Sequence, residues 1–168
     1  LGDVYKRQIR YPAEIVRPMK EELTTIGVEE LLSPDAVESA LSKSGTALVV
    51  VNSVCGCAAA NARPAVRISL NNQNTPDYLY TDFAGVDRDA SDAARAKMIP
   101  FPPSSPSLAL FKDGELVHMI ERHHIEGRSA QLIAENLTEA FNEVCELQFS
   151  LSDTSFLFLK KTFYFPLT

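Results

Sequence analysis

The chain has no run of lysine or arginine, and its net charge is −6 with a pI near 5.1. Phosphate recognition needs clustered cations, so no nucleic-acid partner is expected. Also missing are any apolar stretch near the roughly 18 residues of a membrane span and any basic start leading into a signal-peptide core. The sequence therefore reads as cytoplasmic, with no membrane partner. Cysteine is scarce, three in 168 residues, which is too few for a disulfide framework. There is no initiator Met, so residues 1–10 read as a truncated or extraneous start. Acidic residues become rare after Cys145, where Phe149, Phe156, Phe158, Phe163 and Phe165 crowd together. Residues 146–168 thus read as a Phe-rich tail, poorly ordered or foreign, rather than as a further strand. Residues 11–145 remain as one domain, and a chain 45% hydrophobic and 23% charged has the statistics to bury a core.

What is present begins with two thiols one residue apart, Cys55-Gly56-Cys57, just after the apolar run Ala47-Leu48-Val49-Val50-Val51. In a reducing compartment such a pair is catalytic, redox-sensing or metal-binding. The elements around it follow from periodicity. Tyr11-Pro12 opens a helix with Pro at its first position and Ile15, Met19 and Leu23 as its apolar stripe, ending at Gly27. Val28 to Leu32 suits a short edge strand. Ser33-Pro34-Asp35 is a helix start, with Val37, Ala40 and Leu41 on the buried side and Gly45 beyond the end. Thr46 to Asn52 lacks polar alternation and predicts a strand buried on both faces.

A helix should then run from the cysteines toward Leu70, carrying Ala58-Ala59-Ala60 and then Ala65, Val66 and Ile68, and kinked at Pro64. Asp77 to Gly85 predicts a central strand, and a short Ala-rich helix spans about Asp89 to Met98. The proline-rich Phe101 to Pro106 excludes helix. Ser107 to Lys112 and Glu115 to Ile120 form a hairpin through Asp113-Gly114. The last helix is capped by Ser129, with Ile133, Leu137, Ala140, Phe141 and Val144 on one face. The fold class is α/β, a central mixed sheet flanked by helices.

This order, with a Cys pair at a strand-to-helix junction and Pro106-Ser107-Leu108-Ala109-Leu110-Phe111 downstream, resembles the thioredoxin fold. More narrowly, Asn52-Ser53-Val54-Cys55-Gly56-Cys57-Ala58-Ala59, Ala62-Arg63-Pro64-Ala65, Pro103-Ser104-Ser105-Pro106-Ser107 and His124-Ile125-Glu126-Gly127 resemble the bacilliredoxin family over roughly Tyr11 to Cys145. The resemblance implies a thiol–disulfide oxidoreductase that removes bacillithiol from mixed disulfides on cytosolic proteins. It implies no tightly bound cofactor, with bacillithiol as thiol co-substrate. The implied partners are S-bacillithiolated client proteins and a regenerating reductase or free thiol. A weak disulfide isomerase, or a Cys-x-Cys metal-binding or thiol-sensing module without turnover, is the alternative.

Chemistry is consistent with those roles. A Cys at a helix N-terminus is held toward thiolate by unpaired N–H groups and the helix dipole, which favours Cys55 as nucleophile and Cys57 as resolving thiol. Positions i and i+2 do not face each other on a helix, so the bridge should be strained, with Gly56 supplying backbone freedom. Strain implies a potential above the roughly −270 mV of thioredoxin. Pro106 is expected in cis, turning Ser105 toward the thiols so that its backbone can pair with an extended substrate segment.

Cys145 reads as an inert small hydrophobe, with an accessory role in resolving or subunit linkage as the alternative. Arg63 and Asp82 could tune the thiols, although a surface salt bridge is the more frequent fate of such residues. His118, His123 or His124 could join the cysteines on zinc or copper, but the spacing of a structural zinc site is missing and no metal is assigned. The oligomeric state stays open.

Overall fold

The computed structural model describes residues 11–145, so the expectations for residues 1–10 and 146–168 lie outside the described residues. Its sheet has five strands in the order β1-β3-β2-β4-β5. These are β1 (Glu29–Glu30), β2 (Thr46–Asn52), β3 (Tyr78–Phe83), β4 (Ser107–Lys112) and β5 (Glu115–Ile120). β1, β3 and β2 run parallel, whereas β4 is antiparallel to β2 and β5 to β4. Every residue of β2 is buried, as expected for a β-branched run at the centre of a sheet covered on both faces.

Alternation along β2 divides the core. Leu48 and Val50 face a layer formed by α1 (Ala13–Thr24), α3 (Arg63–Ser69) and α6 (Ala130–Val144). Ala47, Val49 and Val51 face α2 (Pro34–Leu41) and α4 (Arg88–Ala96). The predicted mixed α/β sheet is thus a three-layer body. A fifth short helix, α5 (Arg122–Ile125), follows β5 without an expectation for it in the sequence reading.

The local signals for α2 and α6 hold. Ser33 Oγ accepts the Ala36 amide and Ser129 Oγ accepts the Leu132 amide, each filling one of the donors that a helix start leaves open. Two helices depart from their expected form. In α1 the buried residues are Val16 and Leu23, while Ile15 is half exposed. Seven residues make two turns, so Val16 and Leu23 share a face, and Lys20 between them reaches Asp87 at 2.7 Å and Glu30 at 2.5 Å.

After the cysteines the helical winding changes just ahead of Pro64. Ala58–Ala62 wind as a wider π-helical turn, closed by the Arg63 amide on the Ala58 carbonyl. α-Helical winding starts afresh at Arg63, so Pro64 sits in the first turn, where its missing N–H is tolerated. Ala65 and Val66 are buried there, but Ile68 lies at the surface.

Candidate active site

Cys55 follows the end of β2, past Asn52 and Ser53, and Gly56 and Cys57 already belong to the helix that begins there. The two cysteines are joined by a disulfide with a Cα separation of 5.4 Å, within the ordinary range of about 4.4–6.8 Å. That approach is reached because Cys55 lies ahead of the helix while Cys57 is inside its first turn. Cys55 Sγ accepts the Ser53 hydroxyl at 3.2 Å and the Ala58 amide at 3.4 Å. Both donors favour negative charge on that sulfur when the bond is reduced. Cys57, partly buried, packs against the core layer of α3 and α6.

Cys55 opens on a cavity of about 450 Å³. Ser53 and Ser105 line it with Cys55, and so do Arg88 and Arg95 of α4 and Arg122 at the start of α5. The Ser105–Pro106 peptide is cis, and the Ile99–Pro100 peptide, which carried no expectation, is cis as well. Ser105 therefore does share the cavity with Cys55. Its carbonyl, however, accepts Arg122 Nη1 at 3.3 Å, and Ser104 Oγ accepts the Arg122 amide at 3.5 Å.

Arg63 and Asp82 do not end in surface salt bridges. Arg63 is 3% exposed. Its Nε donates to Glu22 at 2.8 Å and its Nη1 to Asn52 Oδ1 and the Ser53 carbonyl, both at 3.1 Å. It thereby ties α1 to the segment that presents Cys55. Asp82, on β3, accepts the Ser91 hydroxyl through Oδ1, and its Oδ2 has no hydrogen-bond partner among the described residues. Burial pushes its carboxyl up to about 6, against the opposing pull of Ser91 and of Arg95. Since Ser91 and Arg95 line the cavity, Asp82 stands directly behind its wall.

The remaining candidates separate from this cluster. Cys145, 6% exposed, lies in the same core layer as α6, and burial raises its thiol pKa despite a hydrogen bond with Thr46. His123 and His124 gather with Glu121, their donor atoms within 4.8 Å of one another, and none of the three lines the Cys55 cavity. His118 bonds Asn136 at 2.8 Å. The Cys–His half-site is thus not assembled among the described residues. Sequence reading missed the arginines. Arg88 and Arg95 fall seven apart on one helix face, a readable signal, whereas Arg122 arrives from a distant turn with none.

Residues 11–145 match a family model described as disulphide isomerase. A bacilliredoxin of Cytophaga hutchinsonii is 54% identical over 134 residues, covering 80% of this chain and 99% of that protein. One from Shouchella clausii is 50% identical over 137 residues, covering 81% and 94%. Among solved structures, one described by its thioredoxin fold superposes with a TM-score of 0.54 at 22% identity, covering 68% of this chain and 96% of the other. The oxidised thioredoxin of Plasmodium falciparum gives 0.50 at 16% identity, with 68% and 98% covered. These likenesses establish the thioredoxin fold.

Proposed function

The chain belongs to the bacilliredoxin family and is a thiol–disulfide oxidoreductase, and from that premise we propose that it strips bacillithiol from mixed disulfides on cytosolic proteins. Cys55 is the nucleophile. Its thiolate attacks the bacillithiol sulfur, one S–S bond forms as another breaks, and the client leaves as a thiolate. Cys57, as thiolate, then attacks Cys55 Sγ, expels bacillithiol and closes the internal disulfide. The mixed disulfide gains two electrons, leaving as client thiol and bacillithiol, and the protein dithiol loses them. A free thiol or a reductase restores the dithiol, so no tightly bound cofactor is needed.

The observation that carries this reading is the difference in surroundings of the two sulfurs. Cys55 faces the cavity with two hydrogen-bond donors on it, and Cys57 lies against the core. Attack on an incoming disulfide falls to the sulfur that lines the cavity, and resolution to its neighbour packed against the core. Ser105, held by its cis bond to the buried Pro106, lines the cavity with Cys55 and receives the client segment. Because Arg122 occupies the Ser105 carbonyl, strand-like pairing there requires that contact to open.

A Cys57→Ala variant incubated with a bacillithiol-modified protein should accumulate one bacillithiol on Cys55, seen by intact mass and peptide mapping. An adduct on Cys145, or full activity in Cys55→Ala, would refute the assignment. The description of the matching family favours a second reading, disulfide isomerisation, in which Cys55 attacks a protein–protein disulfide and the client itself resolves the adduct. Refolding of a scrambled disulfide protein by Cys57→Ala separates the two, since isomerisation can proceed with Cys55 alone.

A further inference from the structure

We propose that Arg122 is a latch on the client-facing side of the site: the capping box of Glu121 and His124 holds it over the Ser105 carbonyl, and a client backbone must displace it to pair there. The inference rests on the reading in which Ser105 receives the client segment, and adds what controls access to that position. Arg122 and His124 thereby act as positioning residues, and the exchange at Cys55 is unchanged. Arg122 Nη1 donates to the Ser105 carbonyl at 3.3 Å and the Arg122 amide to Ser104 Oγ at 3.5 Å, both longer than the usual N–H···O distance of about 2.9–3.0 Å. Contacts of that length orient a side chain yet yield to a better donor. Glu126 takes Arg122 Nε at 2.6 Å and steers the guanidinium from the end of α5.

The helix that carries the latch is pinned at both ends. At its far end Ile125 is fully buried, and its carbonyl accepts Asn61 Nδ2 at 3.2 Å. At its start the Glu121 carboxylate accepts the His124 amide, and the Glu121 amide donates to His124 Nδ1 at 3.2 Å. That last bond exists only while the imidazole is neutral, because a protonated Nδ1 is a donor facing another donor. Burial and the neighbouring charges of His123, Arg128 and His118 hold the His124 pKa below its ordinary 6.5, with Glu121 pulling the other way. On the α6 side the ring shares its hollow with Leu132, Ile133 and Asn136, none of which titrates. The box is therefore shut at neutral pH, and acidification opens it one residue from Arg122.

The test compares two neutral disulfides that hand over the same small thiol: an end-blocked, uncharged peptide joined to 2-mercaptoethanol, and bis(2-hydroxyethyl) disulfide, which has no peptide backbone. The readout is the ratio of their second-order rate constants with the reduced protein, peptide over small disulfide, in which the ionisation of Cys55 cancels. Arg122→Ala should raise this ratio about fivefold at neutral pH, the worth of one neutral hydrogen bond. His124→Leu should do the same, whereas His124→Asn, whose Oδ1 can accept the Glu121 amide without titrating, should keep the wild-type ratio. In wild type the ratio should climb by a similar factor as pH falls from about 7.5 to about 5, through and below the ordinary histidine range. It should stay level in His124→Asn, whose profile carries whatever Asp82 contributes over the same span. The wild-type profile depends on no variant folding. A ratio unmoved by Arg122→Ala and by pH would overturn the latch and leave the oxidoreductase reading standing. A ratio that falls in Arg122→Ala would make Arg122 an aid to the client and overturn it equally. Wild type and His124→Asn climbing together would remove His124 as the holder. No reaction with either disulfide would sink the underlying reading instead.

Discussion

Arg63 shows how one side chain converts packing into site geometry. Its guanidinium bridges Glu22 on α1, Asn52 at the end of β2 and the Ser53 carbonyl, and the Ser53 hydroxyl in turn donates to Cys55 Sγ. Arg63→Ala leaves Glu22 and the Ser53 carbonyl without this donor, while Asn52 Oδ1 keeps the Ser53 amide at 2.8 Å. Breaking buried ionic networks costs about 3–5 kcal/mol, and the lower end applies because Glu22 is half exposed and can return to water. Urea unfolding should therefore show a loss of about 3 kcal/mol, and Arg63→Lys, lacking the planar fork, should recover only part of it. A loss within about 0.5 kcal/mol, the usual range for surface substitutions, would contradict this role. Arg63 touches neither sulfur, so it acts as a positioning residue.

At the scale of elements, the β4–β5 hairpin turns through a tightly constrained pair of residues. Asp113 and Gly114 both have positive φ, 51° and 81°, as a tight two-residue turn demands. A Cβ on Gly114 would lie 2.7 Å from the Leu41 carbonyl oxygen, which belongs to α2. Gly114→Ala should thus lower stability by about 2 kcal/mol or more through strain and overpacking together. Thermal melts of the variant check this, and an unchanged melting temperature would contradict the contact. This turn was legible in the sequence because Asp-Gly between two apolar runs has few other solutions. β2 was equally legible, since a β-branched run without polar alternation suits burial on two faces. The phase of α1 was not: Ile15 and Val16 are both apolar, and only docking on the sheet selects Val16. The π-helical turn was invisible because Pro64 announces an interruption without saying which winding absorbs it. The site was half legible. The cysteines and Pro106 lie in motifs, whereas Arg122 comes to the cavity only through the hairpin and α5, a juxtaposition made by topology.

For the whole molecule, Asp82 links stability to pH. Its carboxyl sits in the wall between sheet and cavity, pushed up to about 6 from its ordinary 3.8, so the folded state holds that proton more tightly than the unfolded chain. Its stabilising contribution is therefore fully present below about pH 3.8, declines as pH rises through about 6, and is then level. A gap of roughly two units corresponds to about 3 kcal/mol across that window. Asp82→Asn should flatten this part of the stability–pH profile, measured by denaturant midpoints between about pH 4 and 7. An identical slope in the variant would remove Asp82 as the cause. A last consequence concerns stoichiometry. With Cys145 sequestered at 6% exposure while Cys55 and Cys57 are both partly exposed, an alkylating reagent on the folded, reduced protein should add to Cys55 and Cys57 and leave Cys145 unlabelled. Intact mass after brief labelling checks this, and a third equivalent on the folded protein would contradict the burial of Cys145.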